Sequence, residues 1–153
     1  MRNLSFDLRP SFLDDLGLVS ALRWYADRFQ QRTGIIVTVN ISLPKNIARL
    51  RHELETACFR IVQEALTNVA RHANAKTVSI ELESFGDEIR VCIGDDGAGF
   101  EIGAQNLALL TTHLGLRGMR ERALAVGGSF EIISSAAHGT QIRAVFPCEG
   151  KTP

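Results

Sequence analysis

Hydrophobic residues recur along this chain with two periods, and each switch between them marks an element. From Ser11 to about Arg32, Leu13, Leu16, Ala21, Leu22, Tyr25 and Phe29 fall at helical spacing. Arg9-Pro10 breaks the chain before them, and Gly34 closes the predicted helix. Ile35 to Leu43 is rich in β-branched residues and reads as a strand ended by Pro44. A second helix is predicted from about Arg49 to Asn74, where Leu50, Leu54, Ala57, Cys58, Ile61, Val62, Ala65, Leu66 and Val69 form one apolar stripe. Thr77–Ser84 and Glu88–Ile93 read as strands joined by a Gly86-Asp87 hairpin turn. Gly94 to Leu114 has little pattern. A third helix opens near Gly115 and stops at Gly127-Gly128. Ser129–Ser134 and Thr140–Phe146 read as closing strands, with His138-Gly139 in the turn between them.

Adjacent strands without intervening helices imply an α+β fold, a two-layer α/β sandwich with a mixed, mostly antiparallel sheet and helices on one face. The 153 residues suit one domain, predicted over 11–148, with residues 1–10 read as the remnant of a linker and 149–153 as a tail. Seventeen basic residues balance seventeen acidic ones, so no net field draws the chain to nucleic acid or to an anionic membrane. Cys58, Cys92 and Cys148 form no CxxC pair, and Cys58 and Cys92 lie in apolar runs as small buried side chains. A reducing cytoplasm is the expected compartment. No apolar stretch approaches the roughly 20 residues that span a bilayer, so a membrane anchor would belong to a longer parent chain.

Against this background three polar groupings stand out. Glu64, Asn68 and His72 are spaced by four on the second helix, with Arg71 beside them, opposite the apolar stripe. A solvated helix face has the same pattern. Asp95-Asp96-Gly97-Ala98-Gly99-Phe100 directly follows the apolar run Val91-Cys92-Ile93. A carboxylate at a strand end can floor a pocket, and Asp95 would accept from the exocyclic amine of adenine where guanine offers a carbonyl. Gly97 and Gly99 would let the backbone approach the base. An Asp-Gly hairpin turn is the alternative. Gly115-Leu116-Arg117-Gly118-Met119-Arg120 opens a helix, where backbone N–H groups and the helix dipole suit a phosphate; a flexible turn before a surface helix is the alternative there.

Other nucleotide and metal sites are excluded by spacing. There is no GxxxxGK[ST] loop, and Gly94-x-x-Gly97-x-Gly99 reverses the spacing of a dinucleotide-binding GxGxxG. Asp95-Asp96 lacks the alternating ligands of a calcium loop, and the histidines have no zinc spacing.

Taken in order, these groupings resemble the ATP-binding domain of the GHKL superfamily, the Bergerat fold. Phe59 to Ala73 looks like its N box, Asp95 to Phe100 the first glycine box, Gly115 to Arg122 with Gly127-Gly128 the second, and Gly139-Thr140 the threonine-bearing turn. The wording QEALTNVARHA, DDGAGF and GLRGMRER is most similar to sensor histidine kinases of the nitrate/nitrite type. Leu8-Arg9-Pro10 through Leu18 resembles the junction that follows their dimerisation helices.

The resemblance implies that Asn68 binds Mg²⁺, that Glu64 is a polarising or general-base residue, that Arg71 meets a phosphate and that His72 packs near the ribose or base. It implies that Asp95 takes the adenine amine with a water shared by Thr140, and that Phe100 and Met119 wall the adenine. Gly115, Leu116 and Gly118 supply backbone donors, and Glu101–Leu114 forms a short lid. The implied cofactors are ATP and Mg²⁺. The implied partners are a dimerisation and phosphoacceptor domain, not found before Leu8, and a response regulator downstream. Without that domain the piece is not expected to autophosphorylate, and it is expected to be a monomer. His52-Glu53-Leu54 mimics an acceptor motif but sits at the start of the N-box helix, where His52 reads as a surface residue. A serine kinase of anti-sigma type and a nucleotide-binding module without kinase activity are the alternatives.

Overall fold

The architecture follows from the two periods. A computed structural model describes residue 13 and residues 17–44, 50–97, 114–134 and 139–147. The helices are α1 (Leu18–Thr33), α2 (His52–Asn68) and α3 (Leu114–Ala125). The strands are β1 (Ile36–Ser42), β2 (Thr77–Phe85), β3 (Glu88–Asp95), β4 (Ser129–Ser134) and β5 (Thr140–Pro147). They form one sheet in the order β1-β2-β3-β5-β4. Only the β1–β2 pair is parallel; the others are antiparallel. The expected mixed, mostly antiparallel sheet is therefore present.

Strand alternation sorts the sheet into two faces. Val78, Ile80 and Leu82 of β2, Ile89, Val91 and Ile93 of β3, and Ile142, Ala144 and Phe146 of β5 are buried. Their cross-strand partners match in kind: Ile80 opposes Ile93, which opposes Ile142, which opposes Ile132. The helices cover this face, with Leu22, Phe29, Leu54, Phe59, Ile61 and Leu66 in the same core. Each such side chain contributes about 1.5–3 kcal/mol when taken from water, so the interlayer seam is the main source of stability. The opposite face carries ion pairs, Arg90 with Glu83 at 2.9 Å and Arg143 with Glu131 at 3.2 Å.

Two local readings change, and a third gains detail. The helix expected from Ser11 is interrupted at Gly17, at φ 92, before α1; Leu13 is helical, and residues 11, 12 and 14–16 lie outside the described residues. The second helix, expected to run evenly to Asn74, is α-helical only to Asn68 and closes through a π turn, Val69–Ala73, with Asn74 left-handed at φ 54. Cys92 is buried, as expected, but its side belongs to the ion-paired face, since it opposes Glu81 and Arg143. Cys58 is fully buried, and burial, with the Glu55 charge adding to it, pushes its thiol up to about 12. No described helix is long and apolar enough to cross a membrane.

Candidate nucleotide site

The inward face of the sheet changes character in its last row. On β3 the inward positions run Ile89, Val91, Ile93 and then Asp95; on β5 they run Phe146, Ala144, Ile142 and then Thr140. Asp95 is the cross-strand partner of Val78, and Ser134 that of Thr140. An apolar surface thus ends in a carboxylate and two hydroxyls. Asp95 is half-buried. Its carboxylate accepts the Gly97 N–H at 2.8 Å. Burial pushes the carboxyl above its ordinary value, the N–H groups of Gly97 and Thr140 pull it partly back, and the Asp96 charge raises it further.

Neighbouring Asp96 has a different task. Its carboxylate accepts the N–H groups of Lys76 at 2.9 Å and Thr77 at 3.1 Å, and the Thr77 hydroxyl at 3.0 Å. Asp96 N–H returns a bond to the Thr77 carbonyl at 3.3 Å. The Thr77 and Lys76 N–H groups hold this exposed carboxyl below its usual value. The end of β3 is thereby tied to the start of β2. Because β2 follows the π turn within a few residues, the same tie brings the end of α2 to Asp95.

The third piece arrives by length. α3 has 12 residues, about 18 Å, and packs along β4, whose 6 residues span about 20 Å. The end of α3 leads into Ser129, so its beginning returns to the end of the sheet that holds Ser134 and Thr140. Leu116 and Met119 are buried, and Met119 is fully enclosed in the core. A Cβ on Gly118 would meet nothing within 4 Å, so open space lies over that position.

Glu64 and Asn68 are half-buried on successive turns of α2, at the rim between core and solvent, and Arg71 is exposed. Beyond Asn68 the helix closes through the π turn, whose bonds span one residue more than those of an α turn. The side chain of His72, together with Gly99, Phe100 and residues 101–113 of the lid expected over Glu101–Leu114, lies outside the described residues; Leu114 itself begins α3. Among the described residues no three His, Cys, Asp or Glu side chains group as a metal site.

Three residues that shape this corner were not picked out as site residues: Asp96, Gly139 and Ser134. A Cβ on Gly139, at φ 77, would stand 2.1 Å from the Asp95 carbonyl oxygen, so only glycine lets β5 begin against Asp95. A glycine directly before the threonine of the final strand, and a doubled aspartate, were the available signals.

Residues 53–150 match the family described as histidine kinase-, DNA gyrase B-, and HSP90-like ATPase. The chain is 40% identical over 153 residues to the sensor histidine kinase MctS of Rhizobium johnstonii, covering 100% of this chain and 32% of that protein. It is 39% identical over 147 residues to the oxygen sensor histidine kinase NreB of Staphylococcus carnosus, covering 96% of this chain and 41% of that one. The chain therefore spans about a third to two-fifths of these relatives. Among solved structures, the histidine kinase domain of the Erythrobacter litoralis EL346 blue-light activated histidine kinase superposes with a TM-score of 0.65 at 22% identity, covering 89% of this chain and 68% of that one. The Acinetobacter baumannii histidine kinase AdeS does so at 0.60 and 16%, covering 84% and 61%. At these identities the structures speak to the fold.

Proposed function

Because the chain belongs to the family of histidine kinase-, DNA gyrase B- and HSP90-like ATPases, we propose that it is the Mg·ATP-binding, catalytic piece of a sensor histidine kinase. The observation that carries this reading is the last inward row of the sheet, where a half-buried Asp95, braced by Gly97, ends a run of apolar side chains beside the hydroxyls of Thr140 and Ser134. A carboxylate there pairs with the six-amino group of adenine, and it meets the six-oxo group of guanine with acceptor against acceptor.

The remaining residues take their parts from position. Gly115 and Leu116 stand in the first turn of α3, where N–H groups without helical partners would be available to an anion. Gly118, one turn in, contributes the open space above it. Thr140 stands beside Asp95 for a shared water, and Met119 backs the base from the core. Asn68 would hold Mg²⁺, which would supply charge neutralisation for phosphoryl transfer. Arg71 approaches a phosphate from the rim. His72, Gly99 and Phe100 complete the contacts to ribose and base.

The reaction proposed is transfer of the γ-phosphoryl group to an imidazole nitrogen of a histidine on a dimerisation domain, and onward to an aspartate of a response regulator. Glu64, one turn from Asn68, orients that imidazole and takes its proton as general base. The 40% and 39% identity to sensor histidine kinases favours a histidine acceptor. The site of action is the cytoplasm, where ATP and response regulators are found.

Calorimetric titration with ATP, with and without Mg²⁺, and with GTP as control, tests the reading. Binding of ATP that Mg²⁺ strengthens, with weaker binding of GTP, is expected. Absence of binding by either nucleotide, or equal binding of both, would overturn it.

A further inference from the structure

The two ends of the proposed nucleotide site lie on different elements, Asp95 at the end of β3 and Asn68 with Arg71 at the end of α2 and in its π turn. Residues 74–77 join them, leaving the π turn through left-handed Asn74 and entering β2 at Thr77. Asp96 holds this stretch from β3. One carboxylate oxygen, Oδ1, accepts both the Lys76 N–H at 2.9 Å and the Thr77 N–H at 3.1 Å, while Oδ2 accepts the Thr77 hydroxyl at 3.0 Å. From the other side the Lys76 carbonyl accepts the Ile36 N–H of β1 at 3.0 Å, and Ala75 packs against the core. Lys76, Thr77 and Asp96 are all exposed, so these bonds compete with water and add little net stability each, yet three donors on one carboxylate fix its direction. Asp96 follows Asp95 directly, and the peptide between them is planar and stiff, so the backbone of one cannot move without the other.

We infer that Asp96 is a positioning residue that couples the two ends of the site: by clasping residues 76 and 77 to the strand that carries Asp95, it sets where Asn68 and Arg71 stand relative to the base. The inference rests on the ATP-binding reading above and adds to it a residue that touches neither base nor phosphate. The route is short and continuous: Asp95, the shared peptide, the Asp96 carboxylate, two amides at the start of β2, and the turn back to α2. Without the clasp the base end keeps Asp95 with its bond from Gly97. The end of α2 then loses its fixed distance from Asp95 and must be ordered again when a triphosphate binds, which costs affinity.

Competition against a fluorescent ATP analogue, in buffer containing Mg²⁺, reads ATP and adenosine in one assay. Adenosine engages the base end alone, so the ATP:adenosine affinity ratio reports what the phosphate end adds. Asp96→Ala is expected to lower that ratio about fivefold to tenfold, the low end of ordinary coupling between sites. Adenosine affinity is expected to hold within about twofold, the scatter of independent sites. Asp96→Asn is expected to restore the ratio, because it keeps the Oδ1 that takes both N–H groups. If Asp96→Ala does not fold, Thr77→Val, which removes only the hydroxyl bond to Oδ2, is expected to shift the ratio in the same sense. Equal weakening of ATP and adenosine by Asp96→Ala would mean that Asp96 only props its neighbour Asp95. An unchanged ratio in Asp96→Ala, or in Thr77→Val where that variant is needed, would mean that the clasp positions nothing. Either result overturns the inference while the ATP reading stands, as does competition by ATP without competition by adenosine in the unmodified chain. If neither ligand competes in the unmodified chain, both fail together.

Discussion

Replacing Gly139 by alanine separates two costs that glycine normally conceals. Gly139 and Gly86 both have positive φ, 77 and 56, but a Cβ on Gly86 would meet nothing within 4 Å, whereas on Gly139 it would stand 2.1 Å from the Asp95 carbonyl oxygen and 3.3 Å from Asp96 Cα. Gly86→Ala therefore has only the conformational cost, about 1–2 kcal/mol for an L residue in the left-handed region. Gly139→Ala has that cost and must also push two strand ends apart by roughly 1 Å to reach an ordinary carbon–oxygen contact. The movement strains the bonds that Asp95 accepts from Gly97 and Thr140, each worth about 1.5–3 kcal/mol as a bond to a charged group. A total near 3–5 kcal/mol follows if one of them is lost. Urea denaturation measures both variants, with equal m-values checking that the unfolded states are comparable. ATP affinity should fall in Gly139→Ala and hold in Gly86→Ala, because the Gly86 hairpin lies at the other end of β3. If the two variants lie within about 1 kcal/mol of each other, the close approach of β5 to Asp95 does not hold the corner together.

Other perturbations bear on the same corner. Asn68→Ala should remove the gain in ATP affinity that Mg²⁺ confers while leaving the urea midpoint within ordinary surface-variant scatter; near-normal Mg²⁺ dependence in calorimetry would refute the metal assignment. ATP affinity should decline as pH falls through the Asp95 titration, which burial places above the ordinary carboxylate value of 3.8, and Asp95→Asn should abolish that decline along with most of the ATP-over-GTP preference. Asp96 works in the opposite sense: its lowered pKa means that its stabilisation is present above its unfolded value and is lost as pH falls through the folded one. Asp96→Asn should lower the urea midpoint at pH 7 and flatten its fall toward pH 3, and an unchanged pH profile would refute that role.

Some of this was legible in the chain and some was not, for physical reasons. The strands of the core and the stripe of α2 announce themselves because burial imposes a period on the residues themselves, as in Ile89, Val91 and Ile93 or Ile61, Ala65 and Val69. The π turn leaves no such mark. Val69 to Ala73 are residues that an α-helix also accepts, and moving each bond by one position alters no side-chain type. The same limit hides Asp96, whose partners Lys76 and Thr77 are brought to it by strand pairing. It hides the parallel placement of β1 beside β2 as well, since β1 alternates alike in either direction. Gly17 was passed over because the apolar spacing on both sides of it is helical, while its positive φ is a property of the backbone alone.

The polar row at the end of the sheet was readable for a reason that the register explains. In a sheet with one covered face, a polar residue in the inward alternation is costly unless something pairs with it. Asp95 and Thr140 each occupy the next inward position after a run of buried apolar ones, and strand pairing puts both into a single row with Ser134. Two of the three polar groups satisfy one another: Ser134 takes the contact with Thr140 and caps Gly139. Asp95 receives backbone N–H groups, which suffice to hold its carboxylate in place but not to cancel the effect of burial, because its pKa stays raised. Of these three described groups, Asp95 is the one whose charged form burial still disfavours. A ligand that brings a donor to that carboxylate recovers what burial costs, and a ligand that brings an acceptor adds to it. On the proposed reading, base selectivity in this chain would originate in the sheet, where register positions the polar row, and the helices at the rim would be left to hold phosphate and metal.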